Sequence, residues 1–187
     1  MDGLFDFPEL FIRQPGKLLA GRVSYEIFDA RRRRLATATE TEGRSRLQSI
    51  AGLVSGAWML AVRTAAGEPV LTLAKRGGEW VTDLADPGGA LIGRIRIEAS
   101  RRQYTLLDER DQVAGEAAGN LAVNDFSVTG PGRERYARVR KTWAGLRKEL
   151  LTSSDHYTVT FTGPVSPRVR TLIVMLPIVL DLARHEA

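Results

Sequence analysis

The sequence predicts a mostly β protein, a closed antiparallel barrel of roughly a dozen strands around one C-terminal apolar helix. Three observations carry that expectation. Short segments alternate apolar and polar residues. Turn-forming clusters recur between them. The chain closes on RTLIVMLPIVLDLARHEA, residues 170–187, in which Thr171 to Leu180 is almost free of polar side chains.

The alternation has the period of half-buried antiparallel strands. In RVSYEIFD, residues 22–29, Val23, Tyr25 and Ile27 share one face, and Ser24 and Glu26 the other. In WMLAVR, residues 58–63, Trp58, Leu60 and Val62 alternate with Met59, Ala61 and Arg63. GRIRIEAS (93–100) sets Ile95 and Ile97 against Arg94, Arg96 and Glu98, and HYTVTFTG (156–163) sets Tyr157, Val159 and Phe161 against His156, Thr158 and Thr160. The turns read DARRRRL from 29, TAAGEPV from 64, DPGGALI from 86, DERDQVA from 108 and TGPGRER from 129. Each lies between two apolar runs, as a hairpin loop should. The last four start roughly 20 residues apart, a hairpin repeat, and a long meander hides its edges by closing. RSRLQSIAGLVSG, residues 44–56, reads as a short helix or a loop, and TWAGLRKELL, residues 142–151, as a turn of helix before the last strand. No low-complexity linker divides the chain, so residues 1–187 are expected to form a single domain.

The final helix starts with Ser166 as N-cap and Pro167 at its first position. Between Leu172 and Leu180 apolar residues occupy every face, with Leu172, Ile173, Leu176, Val179 and Leu180 expected at its centre. Such a helix is buried in protein or in lipid. A spanning helix needs about 20 mainly apolar residues. Here Arg168 and Arg170 bound the run on one side, and Asp181 and Arg184 on the other, so a core helix is the better reading. Pro177 removes one helix hydrogen bond, which a barrel interior tolerates better than lipid.

Composition narrows the function. The sequence has no cysteine, which excludes disulfides and cysteine metal sites and fits a cytoplasmic protein. MDGLFDFPELF carries early acids and makes a poor signal peptide. Net charge is +5, nearly all of the positive charge arginine, which suggests attraction to phosphate-bearing surfaces. Two histidines make a transition-metal site a poor expectation. SSDH, residues 153–156, holds the residue types of a hydrolase, but neighbours on an extended chain point to opposite faces. The glycines in RGG (76–78) and GPG (130–132) belong to turns rather than to a phosphate loop. No catalytic residue and no cofactor is expected.

FPELFIRQ (7–14), YEIFD (25–29), EPVLTL (68–73), LIGRI (91–95), YTLLDE (104–109), RVRKTWAG (138–145), LLTSSDHYTV (150–159) and the terminal helix occur in an order that resembles the phospholipid-scramblase-like and LURP-one-related proteins, which share the Tubby C-terminal fold. The resemblance implies a barrel of about twelve strands around a central helix. It also implies contact with membranes: Tubby-type domains bind phosphoinositides, and scramblases are associated with calcium-dependent lipid movement. Of the scramblase acids proposed to bind calcium, only Asp155 has a counterpart here. Arg168 and Arg170 stand where others would follow, so no metal site is expected.

The residues expected to meet lipid are the arginines Arg31, Arg32, Arg33 and Arg34 of one hairpin tip, and Arg94, Arg96, Arg138 and Arg140 on outward strand faces. In RVRKTW, Lys141 and Trp143 share the face of Val139, which places a lysine inside the barrel mouth beside a tryptophan, and these two are also expected to meet a lipid headgroup phosphate. The expected function is non-enzymatic: a cytoplasmic barrel that peripherally binds an anionic phospholipid surface or a membrane-associated protein. The alternatives are a scramblase moving lipids between leaflets, and a nucleic-acid-binding or protein-interaction barrel. Nucleic acid fits less well, because stacking on bases needs exposed aromatics, and the aromatics, 7% of the chain, are expected mostly inward.

Overall fold

The computed structural model describes residues 3–15, 23–41, 57–98, 103–120, 125–142 and 156–185. Residues 44–56, read above as a short helix or a loop, lie outside them, as does all but Thr142 of residues 142–151, read as a turn of helix; Trp143 and Asp155 are outside as well. Twelve strands follow in chain order: β1 Glu9–Arg13, β2 Ser24–Asp29, β3 Arg34–Glu40, β4 Trp58–Thr64, β5 Pro69–Lys75, β6 Val81–Ala85, β7 Leu91–Ile97, β8 Gln103–Asp108, β9 Val113–Asn120, β10 Asp125–Thr129, β11 Arg135–Thr142 and β12 His156–Phe161. One helix, α1, Pro167–His185, ends the described chain. Each strand pairs antiparallel with its neighbours in sequence, and β12 pairs with β1 to close the barrel. Closure removes the free edges that an open meander would expose.

The hairpin repeat is one turn used again and again. In β2–β3, Asp29 N–H donates to Arg33 O, and Arg32 N–H to Asp29 O. The same pair of bonds joins Thr64 with Glu68 and Gly67, Asp86 with Ala90 and Gly89, Asp108 with Gln112 and Asp111, and Gly130 with Glu134 and Arg133. The fourth residue of each has positive φ: Arg32 60°, Gly67 92°, Gly89 85°, Asp111 60° and Arg133 64°. This is the three-residue hairpin loop, a type I turn followed by a left-handed residue. The carboxylate at the first position stabilises it: Asp29 Oδ1 accepts from the N–H of Arg31 and of Arg33, and Asp108 Oδ1 from Arg110 and Gln112.

The short hairpins gather at one end of the barrel, and the connections after β1, β3, β5, β7, β9 and β11 at the other. The helix enters at the hairpin end. Ser166 Oγ accepts from Val169 N–H at 3.5 Å, with Pro167 at the first helical position, as the sequence suggests. Arg168 pairs with Glu109 of the β8–β9 turn at 2.6 Å. Arg170 donates to the carbonyls of Phe5 and Phe7 and lies 3.8 Å from the centroid of Phe161. The two arginines therefore clamp the helix start to the rim and to the N-terminal segment.

Every residue from Thr171 to Ala183 is buried, and α1 is continuous through Pro177. Its apolar side chains meet the inward residues of the strands, among them Leu10, Ile12, Ile27, Leu60, Leu73, Leu84, Ile95 and Val159, in one core. The helix backbone comes closest to β7 and β8 on one side and to β1 and β12 on another. Gly93 of β7 permits that approach. A Cβ there would lie 3.1 Å from Leu172 Cδ1 and nearer still to the Leu107 carbonyl oxygen. Gly93→Ala is expected to cost about 1–3 kcal/mol through overpacking, measurable by chemical denaturation. An unchanged midpoint would show that the helix does not press on β7.

Candidate functional site

The outer face formed by β2, β1, β12 and β11 collects the largest group of the expected site residues. Alternation turns Phe11 of β1, Thr158 and Thr160 of β12, and Arg138 and Arg140 of β11 outward. Register aligns them in rows: Glu9 opposite Thr160, which is opposite Arg138, and Phe11 opposite Thr158, which is opposite Arg140. These residues and Thr162 line a groove of about 460 Å³. A neighbouring trough of about 420 Å³ shares Arg138 and Thr162 and extends the groove over β10.

The β2–β3 tip overhangs this face. Its turn forces Arg32 into the left-handed region, and the guanidinium comes to 4.8 Å from the centroid of Phe11. Arg33 Nε pairs with Asp29 at 3.1 Å, and Arg34 with Glu26 at 3.5 Å. Burial raises the Asp29 pKa, but the backbone N–H groups of Arg33 and Arg31, with the Arg33 charge, outweigh it and leave it lowered. Arg31 and Arg32 have no carboxylate partner among the described residues.

Asp125 of β10 joins the two β11 arginines. Arg138 reaches its two oxygens at 2.8 and 2.5 Å, and Arg140 approaches at 3.6 Å. The hydrogen bond from Arg138, more than the opposing desolvation, lowers the Asp125 pKa. A depressed carboxylate contributes stability above its unfolded pKa and loses it as pH falls through the folded value. At neutral pH it is therefore ionised and offsets part of the charge of Arg138 and Arg140. Across the whole face, Arg13, Arg31–Arg34, Arg138 and Arg140 still outnumber Glu9, Glu26, Asp29 and Asp125.

Arg94 and Arg96 do not belong to this face. They lie on β7, on the opposite side of the barrel from β1. Arg94 binds Asp83 at 2.8 Å and also Asp111, and Arg96 binds Glu98 at 3.2 Å. Hydrogen bonds that Arg94 donates to Asp111 and Asp83 raise its pKa. Lys141 points inward, as its parity with Val139 implies. It is 9% exposed, and its Nζ lies 5.5 Å from the Tyr157 ring centroid. It is thus on the other side of the wall from Arg138 and Arg140.

Not every aromatic faces inward. Phe11 and Phe28 are half-buried on the outer face, and each carries a guanidinium, Arg32 on Phe11 and Arg13 at 5.3 Å on Phe28. Trp80, 44% exposed, and Met59, 45% exposed, lie at the far end of β6 and β4.

The interior holds polar groups that alternation alone did not single out. Asp181 of α1, 1% exposed, accepts from Tyr25 Oη at 2.8 Å and from Tyr157 Oη at 3.2 Å. Those tyrosines come from β2 and β12, so the carboxyl group ties the far end of the helix to two walls. The signal was present: Asp181 interrupts an apolar run, and both tyrosines have inward parity.

Residues 24–187 match the family model described as Scramblase. No curated protein matches. Among solved structures, the chain is similar to the X-ray structure of a protein from Arabidopsis thaliana. Identity is 14%, the match covers 96% of this chain and 94% of that one, and the TM-score is 0.62. That likeness shows the fold.

Proposed function

The chain belongs to the scramblase family, and from that premise we propose that it is a non-enzymatic, peripheral binder of anionic phospholipid that uses the arginine face and keeps its terminal helix inside the barrel. The observation that carries this reading is the pair Arg31 and Arg32, cations without a carboxylate partner among the described residues, beside a groove lined by Arg138 and Arg140. Lipid phosphates fit such a face: guanidinium groups bind phosphate oxygens, and the threonine hydroxyls offer further donors. Bilayer movement of lipid by insertion of α1 is the weaker reading. Residues Thr171 to Ala183 are already buried, and no helix among the described residues is long and apolar enough to cross a membrane. Base stacking on nucleic acid is also disfavoured, because Phe11 and Phe28 each have a guanidinium over the ring.

Charge substitution tests the assignment with opposite signs. Each basic residue near an anionic surface contributes about 1 kcal/mol, or about fivefold in affinity. Arg31→Glu with Arg32→Glu, and separately Arg138→Glu with Arg140→Glu, are expected to weaken binding to phosphatidylserine vesicles by at least about tenfold. Asp125→Asn removes a negative charge from the trough beside the groove and is expected to strengthen it. Wild-type affinity in both arginine pairs would overturn the proposal and favour a membrane-associated protein as the partner.

A further inference from the structure

We propose that the outer groove selects one lipid headgroup, phosphoserine, and that Glu9 is the residue that recognises its ammonium; the inference rests on the binding of anionic phospholipid proposed above. Two rows of outward side chains cross the groove. Phe11, Thr158 and Arg140 form one, and Glu9, Thr160 and Arg138 the next. Residues two apart on a strand rise about 7 Å, which separates the rows. Neighbouring strands lie about 5 Å apart, so the backbones at the two ends of a row are about 10 Å apart.

The first row is cationic at both ends. The Arg32 guanidinium stands over Phe11 at 4.8 Å and has no carboxylate partner among the described residues. Arg140 approaches Asp125 only to 3.6 Å. A phosphate over Thr158 meets a guanidinium on either side and a hydroxyl beneath it. The second row is split in sign. Glu9 is half-buried, accepts from Thr160 Oγ1 at 3.3 Å, and has no cationic partner among the described residues. A carboxylate there opposes phosphate, so a groove made for phosphate alone has no use for it. At the other end of the row, Arg138 gives Nε and Nη2 to Asp125, which leaves the two N–H groups of Nη1. The serine headgroup supplies the complement. One methylene beyond its phosphate ester oxygen, a single carbon carries an ammonium and a carboxylate. With the phosphate in the first row, the ammonium meets Glu9 and the carboxylate meets Arg138. A glycerol headgroup offers neither group, and ethanolamine lacks the carboxylate. Phosphoserine within a polypeptide has both groups tied up in amide bonds, so the lipid is the fitting source.

The test compares two anionic lipids of equal net charge. Phosphatidylcholine vesicles carry the same mole fraction of either phosphatidylserine or phosphatidylglycerol, so non-selective attraction to the surface is matched. The full chain is titrated with each at low salt. The wild type is expected to bind the phosphatidylserine vesicles about tenfold more tightly, the effect of one hydrogen bond between charged groups. Glu9→Gln keeps the shape of the side chain and an acceptor for Thr160 but loses the charge. It is expected to move the two affinities in opposite directions, down for phosphatidylserine and slightly up for phosphatidylglycerol, and so to remove the preference. Equal binding of both vesicles by the wild type, or a preference that survives in Glu9→Gln, would overturn the headgroup assignment while leaving peripheral binding in place. Failure to bind either vesicle would remove the proposed function and the headgroup assignment with it.

Discussion

A chain lacking residues 170–187 is expected to remain unfolded. In the intact protein Leu172, Ile173, Val174, Met175, Leu176, Ile178, Val179 and Leu180 are each no more than 1% exposed and share one core with the strands. Burying one such side chain contributes about 1.5–3 kcal/mol. A few of them together equal the net stability of a typical domain, about 5–15 kcal/mol. Without the helix, the inward residues of twelve strands would line an empty lumen. Far-ultraviolet circular dichroism and denaturant titration decide the matter. A truncated chain that unfolds cooperatively as a monomer would contradict the barrel-core account. The single substitution Leu176→Ala is expected to cost about 2–5 kcal/mol.

The second large effect concerns Asp181. Its carboxyl group is 1% exposed and accepts from two tyrosine hydroxyls inside the barrel. Removing it in Asp181→Ala takes an acceptor from both and leaves a cavity, with an expected loss of about 3 kcal/mol or more. Tyr25→Phe should cost about 1–2 kcal/mol, and Tyr157→Phe less, because its bond is the longer. A double-mutant cycle between Tyr25 and Asp181 should give a coupling of at least about 0.5 kcal/mol. Additive losses would mean that the hydrogen bond does not hold the helix.

The barrel was legible in the sequence because two periods coincide there. Alternation in SYEIFD and HYTVTF fixes which residues face inward, and the recurring turns fix where each strand ends. The terminal helix was legible from the length of its uncharged run. The site was legible only in part. Sequence identifies Arg31–Arg34, Arg94, Arg96, Arg138 and Arg140 as exposed arginines, but not which carboxylate faces each one. Closure puts β1 beside β12, which brings Arg32 and Arg138 to the same face and carries Arg94 and Arg96 away from it. Such neighbours are far apart in the chain, and no local pattern encodes them.

The central claim is that the apolar helix is core and that any membrane contact is electrostatic and peripheral. The most direct test is co-sedimentation of the full chain, prepared without detergent, with neutral and with anionic vesicles across a salt series. The account predicts binding to anionic vesicles alone, released as salt rises. Binding to neutral vesicles that persists at high salt would contradict it, because only insertion of apolar surface resists screening in that way.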